Sequence, residues 1–276
     1  MSVSVIILTL NEEVNLPACL ESVKWCDDIV VFDSLSSDRT VAIAEAAGAR
    51  VVQRAFDNYA GQRRAALSEV KFRHPWVLMV DADERSTEAF IKEIDHRLAV
   101  DGEKHSLYRF RRKDFLLGRW IRRSSGYPTW FGRLVRPGEV RVERDINEEY
   151  ITDGSIGFLD NHIVHYPFNK GIAYWFERHN RYSTMEAEAL VREVAGKMDW
   201  RGLVSGDPTV RRKALKQLAY RVPGRPLLVF AYLLVFRLGF MDGVHGLIYC
   251  TLRMIYEFMI DLKVKELRRR EKGLPV

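Results

Sequence analysis

Cysteine is scarce in this 276-residue chain, where Cys19, Cys26 and Cys250 are the three. Their number is odd and they show no metal-ligand spacing, which excludes a disulfide framework and points to a reducing compartment, the cytoplasm. Long apolar runs are lacking too. Residues 227–236 are wholly apolar, but Arg237 ends the run well short of the roughly 20 residues that cross a bilayer. No transmembrane helix is expected. Met1 leads straight into a strand-like run without a basic segment or a small-residue cleavage site, so no signal peptide is expected either. Internal repeats and low-complexity tracts are absent.

What is present suffices for a sizeable core: 47% of residues are hydrophobic, enough for one large domain or a domain with an appendage. Charge divides along the chain. Residues 201–276 carry 15 basic and 6 acidic side chains, whereas the first 200 carry 28 and 31. The basic excess is therefore C-terminal. No nucleic-acid recognition motif accompanies it, and apolar and aromatic runs sit beside it, so an anionic membrane surface is the expected partner rather than nucleic acid.

The N-terminal half alternates strands with helices. Val3–Leu8 reads as a buried strand, followed by Leu16, Leu20 and Val23 at helical spacing. Ile29–Phe32 precedes a helix through Ala42, Ala46 and Ala47 to Gly48, and Arg50–Gln53 precedes a helix from Asn58 to Val70. Such βαβ units imply an α/β fold with a mostly parallel sheet. Polar clusters at 9–13, 33–40 and 81–84 each follow a strand and should line one crevice at the C-terminal strand ends, where open α/β sheets bind ligands. Asp81-Ala82-Asp83-Glu84 follows the apolar run Trp76–Val80, and strand alternation would turn Asp81 and Asp83 toward one hard cation with phosphate or ribose ligands. The other reading is a helix cap, since Ser86-Thr87-Glu88 opens the next helix.

Thr9-x-Asn11-Glu12-Glu13, Asp33-Ser34-x-Ser36-Ser37-Asp38-x-Thr40, Gln62-Arg63 and Asp81-x-Asp83-Glu84, in this order, resemble the GT-A domain of family 2 glycosyltransferases. Tyr127-Pro128-x-Trp130, Arg133-Leu134, Asn147-Glu148 and His179-Asn180-Arg181-Tyr182-Ser183-x-x-Glu186-Ala187 are similar to the subgroup that builds lipopolysaccharide cores and exopolysaccharides. The resemblance implies an inverting, metal-dependent transferase acting on a nucleotide-sugar donor. It implies that Thr9, Asn11 and Glu12 line the base and ribose pocket, that Asp33 bonds the base, that Arg63 lies near the base or diphosphate, and that Asp81 reaches the ribose or the metal. Mg²⁺ or Mn²⁺ would be held by Asp83, with His165 as a further ligand or a phosphate contact. Alternation along Ile163–Pro167 offers a second reading of His165, as a half-buried histidine bonded to backbone. Glu148 matches the family's general base; a solvated acidic turn is the alternative.

The basic, aromatic stretch from Arg109 to Arg136, including Arg112, Trp120, Trp130 and Arg133, suits an anionic glycolipid or lipid-linked saccharide acceptor, or else is a surface loop whose tryptophans pack on the sheet. The expected division is a GT-A domain over 1–200 and a basic helical appendage over 201–276. In the appendage, Arg253, Glu257 and Asp261 form a polar stripe along an otherwise apolar helix, open to core packing, homo-oligomerisation or interfacial anchoring. The resulting expectation is a peripheral enzyme of envelope polysaccharide assembly on the cytoplasmic face of the inner membrane. A haloacid-dehalogenase-type phosphatase and a nonenzymatic nucleotide-sugar scaffold are the rivals. The first expects Thr or Val where Arg85 stands, and the second has no need of Glu148.

Overall fold

A computed structural model of the chain describes residues 2–143, 149–194 and 224–276, together with 200, 202–204, 211, 214, 218, 220 and 222. The chain folds as two compact units: Met1–Trp120 with Tyr127–Lys170, and Ile121–Gly126 with Gly171–Val276. The sequence-based division at 200/201 falls later than this one.

In the first unit, β1 (Val3–Thr9), β2 (Ile29–Asp33), β3 (Arg50–Gln53) and β4 (Trp76–Asp81) are parallel, in the order β3-β2-β1-β4. Between them run α1 (Leu16–Val23), α2 (Thr40–Ala46) and α3 (Tyr59–Glu69). Asn58 caps α3, its Oδ1 accepting the Gly61 amide at 2.7 Å. Burial on both faces explains the continuous apolar runs: Val5, Ile7, Leu78 and Val80 enter one core cluster while Ile6, Val77 and Met79 enter the other.

Beyond β4 the sheet becomes mixed. After β5 (Glu84–Arg85), α4 (Glu88–Asp101) starts at Thr87, whose side chain accepts the Phe90 amide. Then come β6 (Leu107–Leu116), β7 (Arg119–Trp120), β8 (Trp130–Val135), β9 (Arg141–Glu143), β10 (Glu149–Ile151) and β11 (Ile156–His165). The strand path continues β4-β8-β6-β11-β5, while β9 and β10 pair separately. Because β5 follows β4 after two residues, the acidic turn is where this path returns to its start.

The second unit is helical, with α5 (Gly171–Val194), α6 (Arg225–Ala231), a π-helical turn at Tyr232–Phe236, and α7 (Gly243–Glu271). α5 groups with the C-terminal helices because Lys263 Nζ on α7 donates to Asn180 Oδ1 (2.6 Å), Ser183 Oγ (2.9 Å) and Thr184 Oγ1 (2.7 Å), and Leu190 packs with Ile260. Ile121–Gly126 joins this unit through Asp242, which accepts the amides of Arg122 (3.2 Å), Arg123 (2.8 Å) and Ser124 (2.9 Å). Within the appendage the sequence predicts a basic helix over 209–221, a stretch that lies almost wholly outside the described residues. Among the described residues no single helix is long and apolar enough to cross a membrane.

The segment around His179 is a packing element. Its ring stacks on Trp175 at 3.7 Å, with Tyr256 edge-on at 5.1 Å, and Nδ1 bonds the Trp175 carbonyl at 2.8 Å. Burial, helped by the charges of Arg178 and Arg253, pushes its pKa down to about 4. An unfolded imidazole takes up its proton near pH 6.5, whereas the folded one resists until about 4, so stability falls as pH drops across that window. His179→Gln should flatten this slope. Urea unfolding at pH 4.5 and 7.5 checks it, and identical slopes for both proteins would refute the assignment.

Candidate active site

Strand register brings the three polar clusters to one edge of the sheet. Thr9 stands beside Asp33 across β1 and β2, and Leu8 beside Asp81 across β1 and β4. Asp33 is fully buried yet completely partnered. Its carboxylate accepts from Thr9 Oγ1 (2.9 Å), Ser36 Oγ (2.5 Å), the Ser36 amide (2.9 Å) and Gln53 Nε2 (3.1 Å). These four donors offset its desolvation.

The loops after β1 and β2 are laced together. Asn11 adopts a left-handed φ of 54°, which asparagine tolerates, and its Oδ1 accepts the Ser37 amide at 2.8 Å. The Asn11 amide donates to Ser36 Oγ, that of Glu12 to Thr40 Oγ1, and that of Glu13 to Asp38 Oδ2. Glu12 pairs with Lys170 at 2.6 Å and accepts from Asn15. Burial raises the Glu12 pKa even against the Lys170 charge.

At the acidic turn the alternation premise fails. β4 ends at Asp81, and Ala82 and Asp83 form a turn, so strand periodicity no longer applies and the two aspartates have different partners. Asp81 lies between Arg63 (Nη2 to Oδ1, 2.8 Å) and Arg133 (Nη1 to Oδ2, 2.7 Å). Burial alone would raise its pKa, but the two guanidiniums outweigh it and hold the carboxyl far below the ordinary range. Asp83 instead faces His165, with Oδ2 and Nε2 3.3 Å apart. The other His165 nitrogen, Nδ1, bonds Asp114 Oδ1 at 2.7 Å. His165 therefore bonds to carboxylates, not to backbone. Burial opposes its protonation, as does Arg112, yet Asp83 and Asp114 push its pKa up to about 9.

Three contributors to this site escaped sequence reasoning. Glu84, fully buried, accepts the Asp81 amide at 3.0 Å and pairs with Arg133 (3.1 Å) and Arg112 (3.3 Å). Asp114 and Lys170 are the others. Arg112 and Arg133 belong here rather than on an acceptor surface, which corrects the reading of 109–136 as one exposed basic stretch. The signal available was position: both lie on β-strands, where alternate side chains must turn inward. Lys113 lies over the Trp120 ring and Arg111 over the Trp130 ring, and both tryptophans stand on strands, β7 and β8, rather than in a surface loop. Glu148, with Asn147, lies outside the described residues.

Among the described residues, no group of three or more His, Cys, Asp or Glu side chains forms a metal cage. The donor set nevertheless fits a hard divalent cation that keeps most of its ligands from phosphate and water. Asp83 and His165 Nε2 converge, Nε2 becoming a ligand on release of its proton to an incoming cation, and the Asp114 bond to Nδ1 fixes the ring as carboxylates commonly do behind metal-binding histidines.

The chain is 29% identical over 202 residues to the lipopolysaccharide core biosynthesis glycosyltransferase LpsC of Rhizobium meliloti, covering 69% of this chain and 72% of that protein. An uncharacterized glycosyltransferase of Rickettsia bellii is 35% identical over 106 residues, 38% of this chain and about a third (35%) of the relative's length. Among solved structures, glucosyl-3-phosphoglycerate synthase from Mycobacterium tuberculosis, in complex with Mn²⁺, uridine-diphosphate and glucosyl-3-phosphoglycerate, is 24% identical over 41% of this chain and 44% of that one. Its TM-score is 0.35. The sequence profile of glycosyl transferase family 2 matches residues 4–152, more than half of the chain. This chain, a mixed and mostly parallel α/β sheet with helical elements after it, belongs to glycosyl transferase family 2.

Proposed function

We propose that the chain transfers a sugar, with inversion, from a nucleotide-sugar donor to a glycolipid or lipid-linked polysaccharide precursor of the cell envelope, at the cytoplasmic face of the inner membrane. The observation that supports this most is the strand-end constellation of Asp81, Asp83 and His165 in a family 2 chain. Likeness to LpsC supports the lipopolysaccharide-core class of acceptor.

Thr9, Asn11, Glu12 and Asp33 are the proposed nucleoside contacts, at the ends of β1 and β2 and on the loop after β1, where hydrogen bonds fix their positions. Arg63 and Arg133 set the orientation of Asp81, one on each carboxylate oxygen. Asp83 and His165 would hold Mg²⁺ or Mn²⁺, which when bound would offset charge gathering on the leaving diphosphate. Glu148 takes the proton of the acceptor hydroxyl as that oxygen bonds to the anomeric carbon and the bond to diphosphate breaks.

A thermal-shift panel of nucleotide sugars, with and without Mn²⁺, identifies the donor, and the product should show an inverted anomeric centre. Glu148→Gln should keep donor affinity while lowering turnover roughly 10²-fold. Retention of configuration, or donor binding lost with turnover of bound donor unchanged, would overturn the single-base mechanism.

A further inference from the structure

The two faces of α7 have polarities opposite to those of a helix bordering water. Its polar stripe points inward: Glu257 is buried and pairs with Arg225 and, at 3.1 Å, Arg253, while Asp261 pairs with Arg225 at 2.7 Å. Cys250, Leu252 and Ile260 are buried with it. Outward stand Val244 (62% exposed), Leu247 (46%), Phe258 (53%) and Leu262 (48%). The same line continues to Lys265, Arg269 and Lys272, all exposed. Successive spacings of 3, 11, 4, 3, 4 and 3 residues each approximate whole helical turns, so these positions form one stripe. It is apolar first, basic last, and holds no carboxylate.

The preceding segment extends the apolar surface. Leu227, Leu228 and Phe236 are exposed, the last 77%. This segment and α7 meet at a bend of 71°. The bend is tightly built, since a Cβ on Gly246 would lie 2.0 Å from the Gly239 carbonyl oxygen.

We infer that α7 lies in the plane of an anionic membrane leaflet, with Val244, Leu247, Phe258 and Leu262 against the acyl boundary and Lys265, Arg269 and Lys272 on lipid phosphates. Charge decides the occupant. A second copy laid parallel would set three cations against three cations, and one laid antiparallel would set them against an apolar stretch without a counter-ion. Anionic headgroups satisfy both ends of the stripe. The inference rests on the proposed membrane-borne acceptor, and it specifies which face meets the lipid.

The test is flotation of the full chain with phosphatidylcholine vesicles containing or lacking phosphatidylglycerol. Leu247→Asp with Phe258→Asp should reduce the bound fraction at least tenfold on either vesicle. Lys265→Glu, Arg269→Glu and Lys272→Glu together should weaken binding to the anionic vesicles roughly a hundredfold, at about fivefold per basic group, and leave neutral vesicles unaffected. These side chains are exposed, so circular dichroism should be unchanged. Should the apolar variant misfold, the charge variant still decides. Donor thermal shift is read in parallel: intact donor binding with flotation unaffected by either variant overturns this inference alone, whereas absence of any donor response overturns the proposed function. A lipid-free dimer that Leu247→Asp with Phe258→Asp makes monomeric, without vesicle binding by the parent chain, also overturns it in favour of self-association.

Discussion

Asp83→Asn is expected to abolish transfer, with turnover down at least roughly 10²–10³-fold, the scale of one lost electrostatic stabiliser at a reacting centre. An amide oxygen is a much poorer ligand for Mg²⁺ or Mn²⁺ than a carboxylate. It also removes the charge opposite His165 Nε2, which lies 3.3 Å from Asp83 Oδ2. The fold should survive, because the bond that anchors the turn uses backbone: the Tyr166 amide donates to the Asp83 carbonyl at 2.8 Å. Calorimetric titration with Mn²⁺ in the presence of the identified donor should lose its metal-dependent heat while circular dichroism stays unchanged. Full activity in the variant would remove Asp83 from the metal site.

Arg133→Met is expected to have the largest effect on stability. Arg133 is buried, and its Nη1 serves Asp81 and Glu84 at once. Removing the cation leaves two carboxylates short of a partner in a poorly solvated place. Breaking a buried pair from one side costs about 3–5 kcal/mol, and the remaining Arg63 and Arg112 set this case near the low end. Urea unfolding measures the loss. Adding Glu84→Gln should restore part of it, since the second substitution removes one of the stranded charges. A single variant within about 0.5 kcal/mol of the parent, the range of ordinary surface changes, would show that Arg133 is not the central counter-ion.

The parallel half of the fold was legible because its signals are local. Val3–Leu8, Ile29–Phe32, Arg50–Gln53 and Trp76–Val80 each appear as strands within a residue of the observed bounds, and Asn58 begins its helix as its side chain suggests. The meeting of the three polar clusters at one edge of the sheet followed from strand ends alone. The roles of Glu84, Asp114 and Lys170 were not legible, because their partners are far apart in sequence: Glu84 meets Arg112 and Arg133, Asp114 meets His165 where β6 pairs with β11, and Lys170 meets Glu12. Arg133 was misplaced for a related reason: its strand, β8, lies between β4 and β6, and that long-range pairing sets its side chain beside Asp81 and Glu84. Likewise Arg253, Glu257 and Asp261 were recognised as a stripe, but Arg225, which draws that stripe inside, stands 32 residues from Glu257.

The lacing of the loops after β1 and β2 has an entropic consequence. Asn11, Ser36, Asp38 and Thr40 take part in hydrogen bonds to the opposite loop, so these two loops are ordered by folding itself. A ligand entering there meets a surface whose backbone freedom has already been given up, and the free energy of its contacts is not diminished by ordering the loops. Ser36, Asp38 and Thr40, which bond only to protein, would thereby favour binding at the proposed donor site without contacting the ligand.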